Sequence, residues 1–98
     1  MITREAAEAA AVRYILEYAG LQREDFVILR DRTIEVDFGW VFLYESPSYL
    51  QTGREVDRLV GNAPVAVLHD GQIIPTGTAE PLDSYIESIK ETLRTDQA

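Results

Sequence analysis

The chain has 98 residues, 46% apolar and 27% charged, the balance of one globular domain over residues 1–98 and too short to hold a deep cofactor cavity beside its core. It has no cysteine, which excludes a disulfide framework, a thiol nucleophile and a thiolate zinc site. Nine Lys and Arg against 17 Asp and Glu give a net charge of −8, which argues against nucleic acid or an anionic membrane as partner and favours a basic one.

Residues 3–19 predict a helix. Thr3 is a good N-cap, Glu5 sits in the first turn, and Gly20 stands where a C′ glycine belongs. Val12, Ile15, Leu16 and Ala19 form its apolar stripe, widened by Ala11 and Tyr18. Residues 26–29 are a short apolar run, and Asp31-Arg32 offers a two-residue hairpin turn. That register sets Leu29 against Ile34, Val27 against Val36 and Ile28 against Glu35, although Asp-Arg is a poor type I′ pair and a longer loop stays open.

Residues 33–45 alternate: Ile34, Val36, Phe38, Trp40, Phe42 and Tyr44 on one parity, Glu35, Asp37, Gly39, Val41, Leu43 and Glu45 on the other. Period two over this length predicts one long strand, bent at Gly39 and covered on both faces only after it. Ser46 and Pro47 open a helical turn that Gly53 stops. Residues 54–60 are ambiguous between loop and short helix, and Gly61-Asn62-Ala63-Pro64 is a turn. Asp70-Gly71 predicts a hairpin pairing His69 with Gln72, Val67 with Ile74 and Val65 with Thr76, with Pro75 on an edge strand. Residues 81–94 are a second helix, with Leu82, Tyr85, Ile86, Ile89 and Leu93 on one stripe, and residues 95–98 are a frayed tail. The predicted class is α+β: an N-terminal helix, an antiparallel sheet of about four strands, and a C-terminal helix.

No membrane-spanning run approaches the required length of about 20 apolar residues. Met1-Ile2-Thr3-Arg4-Glu5 carries an acid where a signal peptide is basic, so the expectation is a soluble, cytoplasmic protein. The catalytic inventory is thin. His69, the one histidine, abuts a hairpin turn and reads as solvated or locally bonded. No phosphate-loop, nucleophile-elbow or dinucleotide pattern occurs. Glu35, Asp37 and Glu45 share a parity, and same-face neighbours along a strand stand roughly 7 Å apart. They could serve as an acid–base pair, but they read first as a solvated strand face, without the loop grammar of a calcium site. No catalytic residue, cofactor or metal is expected. Tyr44 and Tyr49, flanking Glu45-Ser46-Pro47-Ser48 where the strand exits, are the candidate interface anchors.

Gly39-Trp40-Val41-Phe42-Leu43-Tyr44, then Ser46, Tyr49-Leu50-x-Thr52-Gly53 and Gly61-Asn62-x-Pro64, together resemble the immunity protein 35 (YrhB-like) family of bacteria. Asp70-Gly71, Gly77-Thr78-Ala79-x-Pro81 and Tyr85-Ile86 extend the resemblance over residues 5–90, with Ala63 where a second small residue, often Gly, is common. The resemblance implies a small α+β domain that protects its own cell by binding and blocking a cognate protein toxin, and no catalytic residue carries over. A small acidic chaperone-like holdase is the alternative, and it predicts an exposed apolar patch of more than a few hundred Å². By charge, the toxin is expected to be basic. The residues expected to contact it are Glu35, Asp37 and Glu45, by their shared parity, with Tyr44 and Tyr49 as anchors where the strand exits.

Overall fold

A computed structural model describes residues 1–96. Helix α1 (Arg4–Tyr18) begins as its sequence dictates: the Thr3 side chain accepts from the Ala6 N–H at 3.1 Å. Gly20 follows its end at φ +71°. Its buried line is Ala7, Ala11 and Ile15, spaced i, i+4 and fully enclosed. Val12 and Leu16 only flank that line, and Tyr18 and Ala19 are exposed. The expected stripe is therefore rotated. Two alanines allow a close approach to the sheet, and the larger residues fill in at the sides.

The expected hairpin at Asp31-Arg32 does not form. Strand β1 (Val27–Ile28) leads into a 3-10 turn over Arg30–Arg32, closed by Arg32 N–H to the Leu29 carbonyl at 2.9 Å. No non-glycine among the described residues takes positive φ, which a two-residue type I′ turn requires. The expected long strand is also broken, into β2 (Ile34–Val36), β3 (Gly39–Phe42) and β4 (Tyr44–Glu45). Gly39 is a point of reversal and not a bend: β2 folds back on β3 through Asp37-Phe38, with Val36 opposite Gly39, Glu35 opposite Trp40 and Ile34 opposite Val41. Strand β4 pairs instead with β1, Val27 against Glu45 and Ile28 against Tyr44.

This reversal splits the even-numbered apolar row. Trp40, Phe42 and Tyr44 join Ala7, Ala11 and Ile15 of α1 in one core. Ile34, Val36 and Phe38 join Val41 and Ala66 in a second core, beneath Ile86 and Ile89. Strand β3 is buried on both faces, as its alternation predicts.

After α2 (Pro47–Thr52), capped by Ser46 and stopped by Gly53 at φ +68°, the chain makes a 3-10 turn over Glu55–Asp57 and enters β5 (Val65–Leu68). Strand β6 (Ile73–Pro75) completes an antiparallel sheet in the order β2-β3-β5-β6, with Pro75 on the edge strand. The β5–β6 register is one residue away from the two-residue closure: Val67 faces Ile73, Ala66 faces Ile74, and Val65 faces Pro75. His69 is already engaged, its N–H by the Phe38 carbonyl at 3.0 Å and its carbonyl by the Ile2 N–H at 2.9 Å. The loop is therefore His69-Asp70-Gly71, with Leu68 N–H reaching the Gln72 carbonyl at 2.9 Å and Gly71 at φ +92°.

Helix α3 (Leu82–Asp96) covers the sheet face opposite α1 through Ile86 and Ile89. It runs two residues past its expected end. Of the expected tail, Gln97 and Ala98 lie outside the described residues. The architecture is α+β, with α1 and α3 sandwiching the four-stranded sheet and β1-β4 forming a separate pair.

Candidate functional site

Where β4 ends, the chain must turn into α2, and Glu45 organises that turn. The residue is 4% exposed. Its carboxylate accepts from the Leu59 N–H at 2.7 Å, the Ser46 N–H at 3.0 Å and Asn62 Nδ2 at 3.3 Å, and lies 3.5 Å from Arg58 Nε. Burial alone would push this carboxyl up. The donors from Leu59 and Ser46, the Arg58 charge and Asn62 together outweigh burial and hold it below the usual carboxylate range.

Neighbouring groups reinforce the fold-back. Ser46 Oγ accepts from the Tyr49 N–H at 2.9 Å and donates to the Asp57 carbonyl. Asn62 Nδ2 also reaches the Tyr44 carbonyl at 2.8 Å. The stretch 46–62 is thus tied to β4 near its beginning, at Leu59 and at Asn62. Arg58 crosses from Glu45 to lie over the Tyr49 ring, 5.2 Å from its centroid.

Between this stretch and the Arg30–Arg32 turn opens a cleft of about 640 Å³, whose walls include Leu29, Arg32, Tyr44, Tyr49, Leu50 and Arg58. Leu50 is exposed on α2, and Val56 and Val60 are 81% and 98% exposed on the segment that follows. Arginine and tyrosine are residue types enriched at protein interfaces, and here they stand stacked beside exposed aliphatic side chains on a braced segment.

The structure does not bring the three expected acids onto one free face, nor gather all five expected contact residues at one place. Tyr44, Glu45 and Tyr49 line the cleft, and Glu35 and Asp37 do not. Glu35 is exposed on β2 opposite Trp40, and Asp37 is exposed in the β2–β3 turn. Glu45 is buried and partnered, because the reversal at Gly39 ends the shared parity on which the grouping rested. Tyr44 is buried too, edge-on to Phe26 at 5.8 Å and 72°. Burial first, and then the nearby Tyr14, push its hydroxyl pKa up. Tyr49 is half-buried on a wall of the cleft.

Arg58 and Asn62 were not legible as site residues. Arg58 falls in the ambiguous segment. Asn62 carries a turn signal, but nothing local says that its amide reaches back to Tyr44 and Glu45. The His69 ring packs edge-on against Trp40, 5.2 Å between centroids, and its hydrogen bonds to Phe38 and Ile2 are made by its backbone. Among the described residues, no group of three or more His, Cys, Asp or Glu is placed to hold a metal ion, and no helix is long and apolar enough to cross a membrane.

No solved structure matches the chain. A curated relative, "Uncharacterized protein YrhB" of Escherichia coli (strain K12), is 46% identical over 50 residues. That match spans about half of each protein, 50% of this chain and 53% of the relative. The family model described as "Immunity protein 35" matches residues 5–88, which take in every strand, α2 and the entire Glu45 network. The chain belongs to the immunity protein 35 family.

Proposed function

We propose that this protein acts in the cytoplasm as a stoichiometric blocker that binds a cognate protein toxin, with no catalysis of its own. The observation that carries the reading is the family membership over residues 5–88. The net charge of −8 supports a basic toxin, drawn in by long-range attraction. The docking surface in this reading is the braced stretch 46–62 with its cleft. Tyr49, Leu50 and Val60 make contact, and Glu35 and Asp37 act from outside it as steering charges. Tyr44 and Glu45 serve by holding the surface in shape. Family membership lends no support to the holdase alternative.

The test is protection. A secreted toxin found encoded beside this gene should arrest growth when expressed alone, and co-expression of the wild-type chain should rescue it. Leu50→Asp/Val60→Asp should lose rescue while remaining folded by circular dichroism, because both side chains are exposed. Full rescue by that variant would move the interface elsewhere. Failure of the wild-type chain to rescue or to bind the toxin would overturn the immunity reading.

A further inference from the structure

Four of the five tyrosines line two adjoining clefts. Tyr44 and Tyr49 belong to the cleft described above. Tyr14, Tyr18 and Tyr44 line a second, of about 220 Å³, which shares Tyr44 and Pro64 with the first. Tyr14 and Tyr18 are one turn apart on α1, with ring centroids 5.0 Å apart at 39°. Tyr18 is 68% exposed, so its ring is held out to solvent at a mouth where burial alone would not place it.

Two features of this second cleft point to a positively charged occupant, and among the described residues no basic side chain lines it to oppose one. Tyrosine rings present an electron-rich face that attracts ammonium and guanidinium groups. The carbonyl end of α1 also opens here through Ala19, and no basic residue stands in the helix's last turn to offset its partial negative charge. The neighbouring cleft is different, because the chain's own Arg58 already covers Tyr49. The net charge of −8 adds a long-range attraction for cations.

We propose that this second cleft receives an arginine or lysine side chain of the partner protein on its Tyr14–Tyr18 wall, above the buried Tyr44, and so forms the cation-recognising half of the interface. The inference rests on the toxin-binding reading for the identity of the partner. It does not rest on that reading for the chemistry of the cleft.

Two measurements separate the two claims. In the first, the purified chain is titrated with acetyl-arginine amide and, as a neutral isostere, with acetyl-citrulline amide, while the tyrosine ring resonances are followed by NMR. The arginine compound should shift the Tyr14 and Tyr18 rings, less at high salt, and the citrulline compound should not. Tyr18→Leu should abolish the shift, and its exposed position keeps the fold intact. An equal response to citrulline, no response to either probe, or an unchanged response in both Tyr18→Leu and Tyr14→Leu overturns the proposal.

In the second, toxin affinity is measured for the same variants. Tyr18→Leu should weaken it by about fivefold to thirtyfold, the range of a partly to fully desolvated cation–π contact. If the wild-type chain binds toxin and Tyr18→Leu binds equally well, the cleft is not part of the interface, and the blocking function stands. If the wild-type chain binds no toxin but still shows the arginine-specific shift, the toxin reading falls and the cation cleft is upheld.

Discussion

At Gly39 the backbone takes φ +153°, and an added Cβ would run into the Val67 carbonyl oxygen of the adjacent strand. The β2–β3 reversal and the β3–β5 pairing meet at this residue, so Gly39→Ala must either push β5 away or abandon the turn. The expected cost is roughly 1–3 kcal/mol from backbone strain alone, with the clash in addition. Chemical denaturation of the variant checks it. Glu45 makes the complementary case, a side chain with many partners. Glu45→Gln sets an amide NH₂ among groups that already donate, and leaves one or more of them unsatisfied at roughly 1–3 kcal/mol. The pH dependence has a definite sign. The folded carboxyl is held below its ordinary value, so it binds its proton less readily than in the unfolded chain. Its stabilisation is complete above the ordinary carboxylate range of about 4 and is lost as pH falls through the lowered folded value. Melting curves across that range should show a steeper acid loss for the wild-type chain than for Glu45→Gln.

At the scale of elements, helix ends were the most legible feature. Thr3, Ser46, Gly20 and Gly53 act within one turn of the helices they delimit, and each does what its local chemistry predicts. Strand continuity was not legible. The alternation from Ile34 to Glu45 is satisfied equally by one long strand or by a strand, a reversal and two more strands, because period two says nothing about direction. What decides is Gly39 against Val67, a contact between residues 28 positions apart. The 69–71 loop teaches the same lesson at smaller scale: the hairpin was visible in Asp70-Gly71, but its register depends on Phe38 and Ile2 claiming His69. The candidate site was half legible for this reason. Tyr44, Glu45 and Tyr49 stand together where the strand exits, but Arg58, Leu59 and Asn62 reach Glu45 only through the fold-back. Gly71 at φ +92° remains a local requirement, so Gly71→Val should cost roughly 1–3 kcal/mol. An unchanged melting temperature would refute that turn.

Over the whole molecule, enclosed and exposed charges have different roles in the proposed reading. Glu45 is enclosed and neutralised at short range by Arg58 and by three hydrogen-bond donors, so it contributes little to the field outside. Glu35 and Asp37 are exposed, and their elements, β2 and the β2–β3 turn, lie outside both tyrosine-lined clefts. In the proposed reading, a basic partner meeting a surface of net charge −8 would feel those carboxylates at a distance and touch the clefts on arrival. Exposed charges away from the contact change the rate of encounter, and salt screens their effect beyond about 10 Å at 0.1 M. Aromatic groups inside the contact change the rate of escape. Glu35→Lys/Asp37→Lys should therefore slow association with the toxin, with little change in dissociation, and the slowing should shrink as salt rises. Tyr49→Ala should do the reverse, speeding dissociation at every salt concentration. Surface plasmon resonance at low and high salt reads both constants. A charge-reversal variant whose dissociation rate rises most would place Glu35 and Asp37 inside the contact, and the β2–β3 hairpin would then become the docking surface in place of the braced stretch 46–62.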